Sequence, residues 1–165
     1  MSGDAPPADA IQEFWRLAAR AARIGELDVY VGTPWGHVVP PQAWSFGDSP
    51  AMAQRLLDLV LTGYKTATTG LRQEYLDAGE ALPKAGDLSI LLDGSGTPRA
   101  LVRNVEVVEA RFADITAAQA AAEGEGDRSL ASWRADHRHY FERLGYPIDD
   151  DSAVIWERFE VLYQV

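Results

Sequence analysis

Residues 46–69 read FGDSPAMAQRLLDLVLTGYKTATT. Ser49 is a side-chain N-cap, Pro50 suits a first helical turn, and Met52, Leu56 and Val60 form an apolar stripe at four-residue spacing. Gly63 ends that helix. The β-branched run Lys65-Thr66-Ala67-Thr68-Thr69 then reads as a strand. Residues 71–78 are a short helix or a turn-rich excursion, and 83–86 a loop. Two strands follow, 87–92 and 99–108, joined by the hairpin turn Asp93-Gly94-Ser95-Gly96.

Outward from this centre, Ile11, Phe14, Trp15, Ala18, Ala21 and Ala22 recur at three and four, which predicts an amphipathic helix over 8–24 closed by Gly25. Residues 2–8 read as a frayed start and 31–42, with its glycines and prolines, as a loop. Toward the C-terminus, Asp114 and Thr116 are candidate caps of an Ala-rich helix over 112–123. Gly124-Glu125-Gly126-Asp127 interrupts it. Ser129 caps a helix over 130–144 with the stripe Leu130, Trp133, His137, Tyr140, Phe141 and Leu144, and 154–165 is the last strand. Strands and helices do not alternate, so the pattern fits an α+β domain around a small mixed or barrel-like sheet, not a doubly wound one.

Composition bounds the function. The 165 residues are 47% apolar and 24% charged, ordinary globular proportions. The longest apolar run is broken by Asp58, so no membrane span is expected, and the acidic start lacks the basic region of a secretory signal. There are no cysteines, which excludes disulfides, Cys-zinc sites, iron–sulfur clusters and thiol catalysis. His37, His137 and His139 form no metal-ligand pattern. The expectation is a cytoplasmic protein without metal or cofactor. A net charge of −10 repels polyphosphate, so a protein that coats RNA or DNA is disfavoured, whereas one nucleoside or one extruded nucleotide fits.

Several polar residues stand in awkward places. Glu157 is the sole carboxylate on a strand face shared with Ile155, Phe159, Val161 and Tyr163; it needs a partner, such as an arginine, or a function. Lys65 and Thr68 are three apart. In a flat strand they point to opposite faces and converge only if the chain turns near Gly63. Glu123, Glu125 and Asp127 share a glycine-flexed link, with Glu123 at a helix end where the dipole disfavours it. His137 lies on an apolar stripe, as a core histidine or a site residue. Arg134 and Arg138 form an i,i+4 basic pair. Phe46 precedes the capped helix as a candidate staple, and Trp44 is a candidate stacking ring.

Taken together, Phe46-Gly47-Asp48-Ser49-Pro50, Gly63-Tyr64-Lys65-Thr66-Ala67-Thr68, Pro83-Lys84-Ala85-Gly86-Asp87, Phe112-Ala113-Asp114-Ile115-Thr116, the run from Glu123 to Leu130 with Trp133-Arg134-Ala135-Asp136-His137, and Glu157-Arg158-Phe159 resemble the ASCH domain family. The resemblance runs from about Trp44 to Tyr163. It implies a PUA-like fold, a small mixed β-barrel with surrounding helices, over 44–165, with 1–43 as an N-terminal helix and linker packed on it. Relatives are associated with RNA, as binding modules or ribonucleases, and some small bacterial members remove the acetyl group from N4-acetylcytidine. Carried over by motif, the catalytic residues are Lys65, Thr68 and Glu123, with Glu125 as the alternative carboxylate.

On that expectation a neutral Lys65 takes the Thr68 proton, Thr68 attacks the acyl carbonyl, and Glu123, its pKa raised toward neutrality, protonates the leaving amine. Trp44, Phe46, Tyr64, Arg72, Trp133, Arg134, His137 and Glu157 are the expected substrate contacts. The competing expectation is an RNA-binding protein or metal-independent ribonuclease. It requires a continuous basic groove from Lys65, Arg72, Arg103, Arg134 and Arg138, with single-stranded RNA as partner and neither DNA nor membrane.

Overall fold

Phe14, Trp15, Ala18 and Ala19 share the buried side of a 14-residue helix, α1 (Ala8–Ala21). The computed structural model describes residues 8–25 and 39–165. The expected frayed start, His37 and most of the expected loop over 31–42 lie outside the described residues. Five strands form one mixed sheet in the spatial order β1 (Ala43–Trp44), β3 (Leu88–Leu92), β4 (Pro98–Arg111), β5 (Ala153–Gln164) and β2 (Ala67–Leu71). The helices are α1, α2 (Pro50–Leu61), α3 (Arg72–Ala78), α4 (Ala117–Ala122) and α5 (Leu130–Arg143), with a 3-10 turn over Phe112–Asp114. This is the expected α+β class.

The residues fall into two units. The first draws on Met1–Leu61, Leu88–Arg103 and Val161–Val165; the second on Thr62–Asp87 and Asn104–Glu160. In the first, α1 shares a core with Ile90, Leu92 and Leu101, and the rings of Phe14 and Tyr163 lie 5.6 Å apart. β1 runs parallel to β3, with Ala43 opposite Ile90 and Trp44 opposite Leu91. The β3–β4 hairpin is held by Asp93, whose Oδ1 accepts from the backbone N–H groups of Ser95 (2.9 Å) and Thr97 (3.0 Å). Ser49 caps α2 by accepting from Met52 N–H at 3.2 Å.

In the second unit Ala67, Leu71, Phe112, Ile115, Ala120, Trp133, Phe141, Val154 and Trp156 pack into one core. β2 and β5 are antiparallel, pairing Thr68 with Glu157 and Thr69 with Trp156. Thr116 and Gln119 form a reciprocal capping box at the start of α4, and Ser129 caps α5.

Three readings need correction. The strand expected from Lys65 begins at Ala67. Thr66 N–H instead donates to the carbonyl of Ala122 at 2.8 Å, so the approach to β2 serves the end of α4. β1 was not expected; two residues beside a proline pair carry no period, and their pairing comes from β3, more than forty residues on. Leu144 lies beyond α5 and is 36% exposed, outside the buried stripe.

Candidate functional site

Strand parity sorts the chemistry of the second unit. Directly paired residues of antiparallel strands share a face. Ala67, Thr69 and Leu71 therefore lie with Trp156 and Val154 toward the helical core, and Thr68 and Gly70 lie with Glu157 and Ile155 on the other face. Lys65 has the parity of Thr69.

On the core side, Lys65 and Glu123 are each only 1% exposed. Lys65 Nζ pairs with Glu125 Oε1 at 2.6 Å and Glu123 Oε2 at 3.7 Å, and donates to the Glu123 carbonyl at 3.5 Å. Glu123 Oε1 accepts from Trp133 Nε1 (2.7 Å) and from the Thr69 hydroxyl. Its Oε2 is 3.3 Å from His137 Nε2. The local fold makes this possible. Gly124, at φ 69°, turns the chain so closely over the strand approach that a Cβ would lie 2.2 Å from the Tyr64 carbonyl oxygen. That close approach leaves Glu123 over Lys65.

The charges follow from the contacts. Burial alone pushes Glu123 up, but the charge and hydrogen bond of His137, then Lys65 and Thr69, pull it down to about 2. His137 Nδ1 lies 2.8 Å from the Trp133 carbonyl while Nε2 faces Glu123, so both ring nitrogens meet acceptors. Burial lowers its pKa, the Glu123 hydrogen bond and charge raise it more, and the net shift is upward. These contacts correct the expected electrostatics. Glu123 is an ionised acceptor, not an acid with a raised pKa, and Lys65 is the cation of two ion pairs. Thr68 lies on the face opposite Lys65, and the hydroxyl that meets Glu123 belongs to Thr69.

On the other face, Glu157 has no arginine partner among the described residues. Tyr75 OH donates to Oε1 at 3.2 Å and Asn104 Nδ2 to Oε2 at 2.6 Å. Burial raises the Glu157 pKa, and the two hydrogen bonds only partly offset it. Burial, with the neighbouring Glu157, also raises Tyr75. Tyr75, Asn104 and Thr69 were not among the expected site residues. Parity could have flagged Thr69, whereas Tyr75 and Asn104 carry no local signal.

The remaining expected contacts are dispersed. Trp133 is buried and stacked on His137 (4.2 Å) and Phe112 (5.1 Å), which leaves no face for a base. Phe46 is buried and Trp44 half-buried, edge-on to each other at 4.8 Å in the first unit. Tyr64 is 60% exposed. Arg72 pairs with Glu109 at 3.1 Å, and Arg134 donates to the Ala113 carbonyl at 3.0 Å. Arg138 pairs with Asp150, donates to the Ile148 carbonyl at 3.3 Å and lies over the Phe112 ring. Four of the five cations expected in a basic groove thus meet acceptors of the protein itself. Among the described residues no cluster of three or more His, Asp or Glu could hold a metal, and no helix is long and apolar enough to cross a membrane.

The ASCH domain family model matches residues 42–163. A solved protein from Enterococcus faecalis is 28% identical, with a TM-score of 0.77, over 94% of this chain and 89% of its own. A solved ASCH domain from Lactobacillus crispatus is also 28% identical, with a TM-score of 0.69, over 88% of this chain and 96% of its own. Among curated proteins none matches.

Proposed function

The chain belongs to the ASCH domain family, generally thought to bind RNA and built on a PUA-like fold, and from that membership we propose that it takes a single nucleobase, as a nucleoside or as one base extruded from single-stranded RNA. The observation that carries this reading is the commitment of four of the cations expected to line a basic groove. Lys65, Arg72, Arg134 and Arg138 are engaged by carboxylates or carbonyls of the same unit, in a chain of net charge −10. Tracking a strand requires cations that can trade counterions for phosphates. Recognition must then rest on the base. The test is calorimetric titration of the full chain with nucleosides and with a short single-stranded RNA across a salt series. Nucleoside affinity should change little with salt. An RNA log–log salt slope steeper than about −3, the release expected from roughly four phosphates on a single strand, overturns the reading.

Hydrolysis of an N4-acylated cytidine by Lys65, Thr68 and Glu123 is a second reading, supported by one observation: Lys65 and Glu123 meet beside a threonine hydroxyl. Because that hydroxyl is Thr69's, both threonines enter the test. Acetate release from N4-acetylcytidine is measured for wild type, Lys65→Ala, Thr68→Ala, Thr69→Ala and Glu123→Ala, with EDTA present. Activity that survives in all four variants removes these residues from the chemistry.

A further inference from the structure

Glu157 is the polar group that packing explains least. Each of its carboxylate oxygens accepts one hydrogen bond from a neutral donor, Tyr75 or Asn104. Among the described residues it has no ion-pair partner, and Asp87 adds negative charge nearby. Glu123, by contrast, meets Lys65 and His137. A half-buried carboxylate without a counter-charge gives up hydration for little return, a cost that fold stability alone does not repay.

Its surroundings are built for it. Tyr75 reaches Glu157 from α3 by passing over Gly70, where a Cβ would lie 3.0 Å from the phenolic oxygen and 3.1 Å from a ring carbon. Asn104 is buried, and its backbone is pinned on both sides: its N–H donates to the Asp87 carbonyl at 2.9 Å, and its carbonyl accepts from Gly86 N–H at 2.7 Å. Two anchored donors thus hold one carboxyl plane, and each oxygen keeps a further lone pair. Thr68 lies directly opposite on β2. Among the described residues its hydroxyl has no hydrogen-bond partner.

We propose that Glu157, oriented by Tyr75 and Asn104 and flanked by Thr68, reads the amidine-type edge of a nucleobase: an exocyclic amino group beside a ring nitrogen. The inference rests on the nucleobase reading above and names the edge that is recognised. A planar carboxyl group matches that edge with two parallel hydrogen bonds. Guanine donates both an amino and a ring N–H to the carboxylate. Cytosine donates its amino hydrogen, and one proton is shared between the carboxyl group and the ring nitrogen. Uracil sets a carbonyl against a carboxylate oxygen and is refused while the group is ionised. The Thr68 hydroxyl, donor or acceptor as needed, serves the next polar atom of the ring.

The experiment titrates the full chain with cytidine, guanosine and uridine, as wild type, Glu157→Ala, Glu157→Gln and Tyr75→Phe. Wild type should prefer cytidine or guanosine over uridine by about 10- to 100-fold, the worth of one bidentate pair. Glu157→Ala should erase that preference. Tyr75→Phe, which keeps the ring over Gly70, should narrow it and serves as the readout if the alanine variant does not fold. Glu157→Gln separates the two sources, since an amide still pairs with cytosine and fails with guanine. Equal affinity for all three nucleosides in wild type, or a preference undiminished in both Glu157→Ala and Tyr75→Phe, overturns the inference while nucleobase binding stands. No binding of any nucleoside overturns both.

Discussion

The hydroxyl of Thr69 rests on the buried carboxylate of Glu123, while Thr68, one residue earlier, faces the opposite side of β2 across from Glu157. A one-residue step along a strand therefore separates two polar systems. One is dry and charge-balanced, with Lys65 and His137 around Glu123. The other is half-buried and, among the described residues, lacks a counter-charge at Glu157. The first balances its charges within the protein, whereas the second holds a carboxyl group by neutral donors.

The two threonines should separate experimentally. Thr69→Val removes a hydrogen bond to a buried carboxylate, which costs about 1.5–3 kcal/mol. Thr68→Val keeps a β-branched strand residue and breaks no hydrogen bond among the described residues, so its cost should stay within about 0.5 kcal/mol. Urea denaturation of both variants measures the difference. Equal losses would contradict the division by face.

Lys65→Met tests the charge balance directly. It leaves Glu123 ionised in a dry site with His137 as its remaining cation, and breaking a buried pair from one side costs about 3–5 kcal/mol. The double variant Lys65→Met with Glu123→Met should recover part of that loss, because no isolated charge remains. A double-mutant cycle that gives additive losses would show that the pair is not coupled.

Much of this was legible from local rules, and the exceptions have identifiable causes. Ser49, Thr116 and Ser129 act within a few residues, so the starts of α2, α4 and α5 could be read from sequence. The meeting of Lys65 with Glu123 followed only from the family resemblance, since no periodicity connects residues 58 apart. The same resemblance drew attention to Thr68, although period-two geometry gives Lys65 the parity of Thr69. Tyr75 and Asn104 were invisible because their significance lies wholly in Glu157, 82 and 53 residues away along the chain.

Stability should be greatest in weakly acidic solution. The folded pKa of Glu123 is about 2, below its ordinary 4.5, so its contribution is complete above 4.5 and is lost as pH falls toward 2. His137 is shifted up from 6.5, so its contribution is complete below 6.5 and is lost as pH rises through the folded value. Both are fully present between about 4.5 and 6.5. In a Glu157→Gln background, which removes a carboxyl titration of the opposite sense, thermal melts over that range and on either side should show a plateau, and adding His137→Gln should flatten its alkaline edge. An alkaline decline unchanged in His137→Gln would show that another group sets it.

Glu157 should behave in the opposite sense to Glu123. Its folded pKa lies above 4.5, so the native state holds a proton that the unfolded chain has lost, and wild type loses stability as pH rises through the folded value. Glu157→Gln removes that titration while keeping an oxygen to accept from Asn104, and the phenol of Tyr75 can turn to accept from the new amide. The variant should therefore be more stable than wild type at pH 8. The advantage should shrink as pH falls to 4.5 and should vanish below it, where the carboxyl becomes protonated in both states. Chemical denaturation at pH 8 and pH 4.5 checks both the sign and the trend. A variant less stable than wild type at pH 8 would mean that the two neutral hydrogen bonds fully compensate the buried charge, and the physical argument for a ligand at Glu157 would be lost with it.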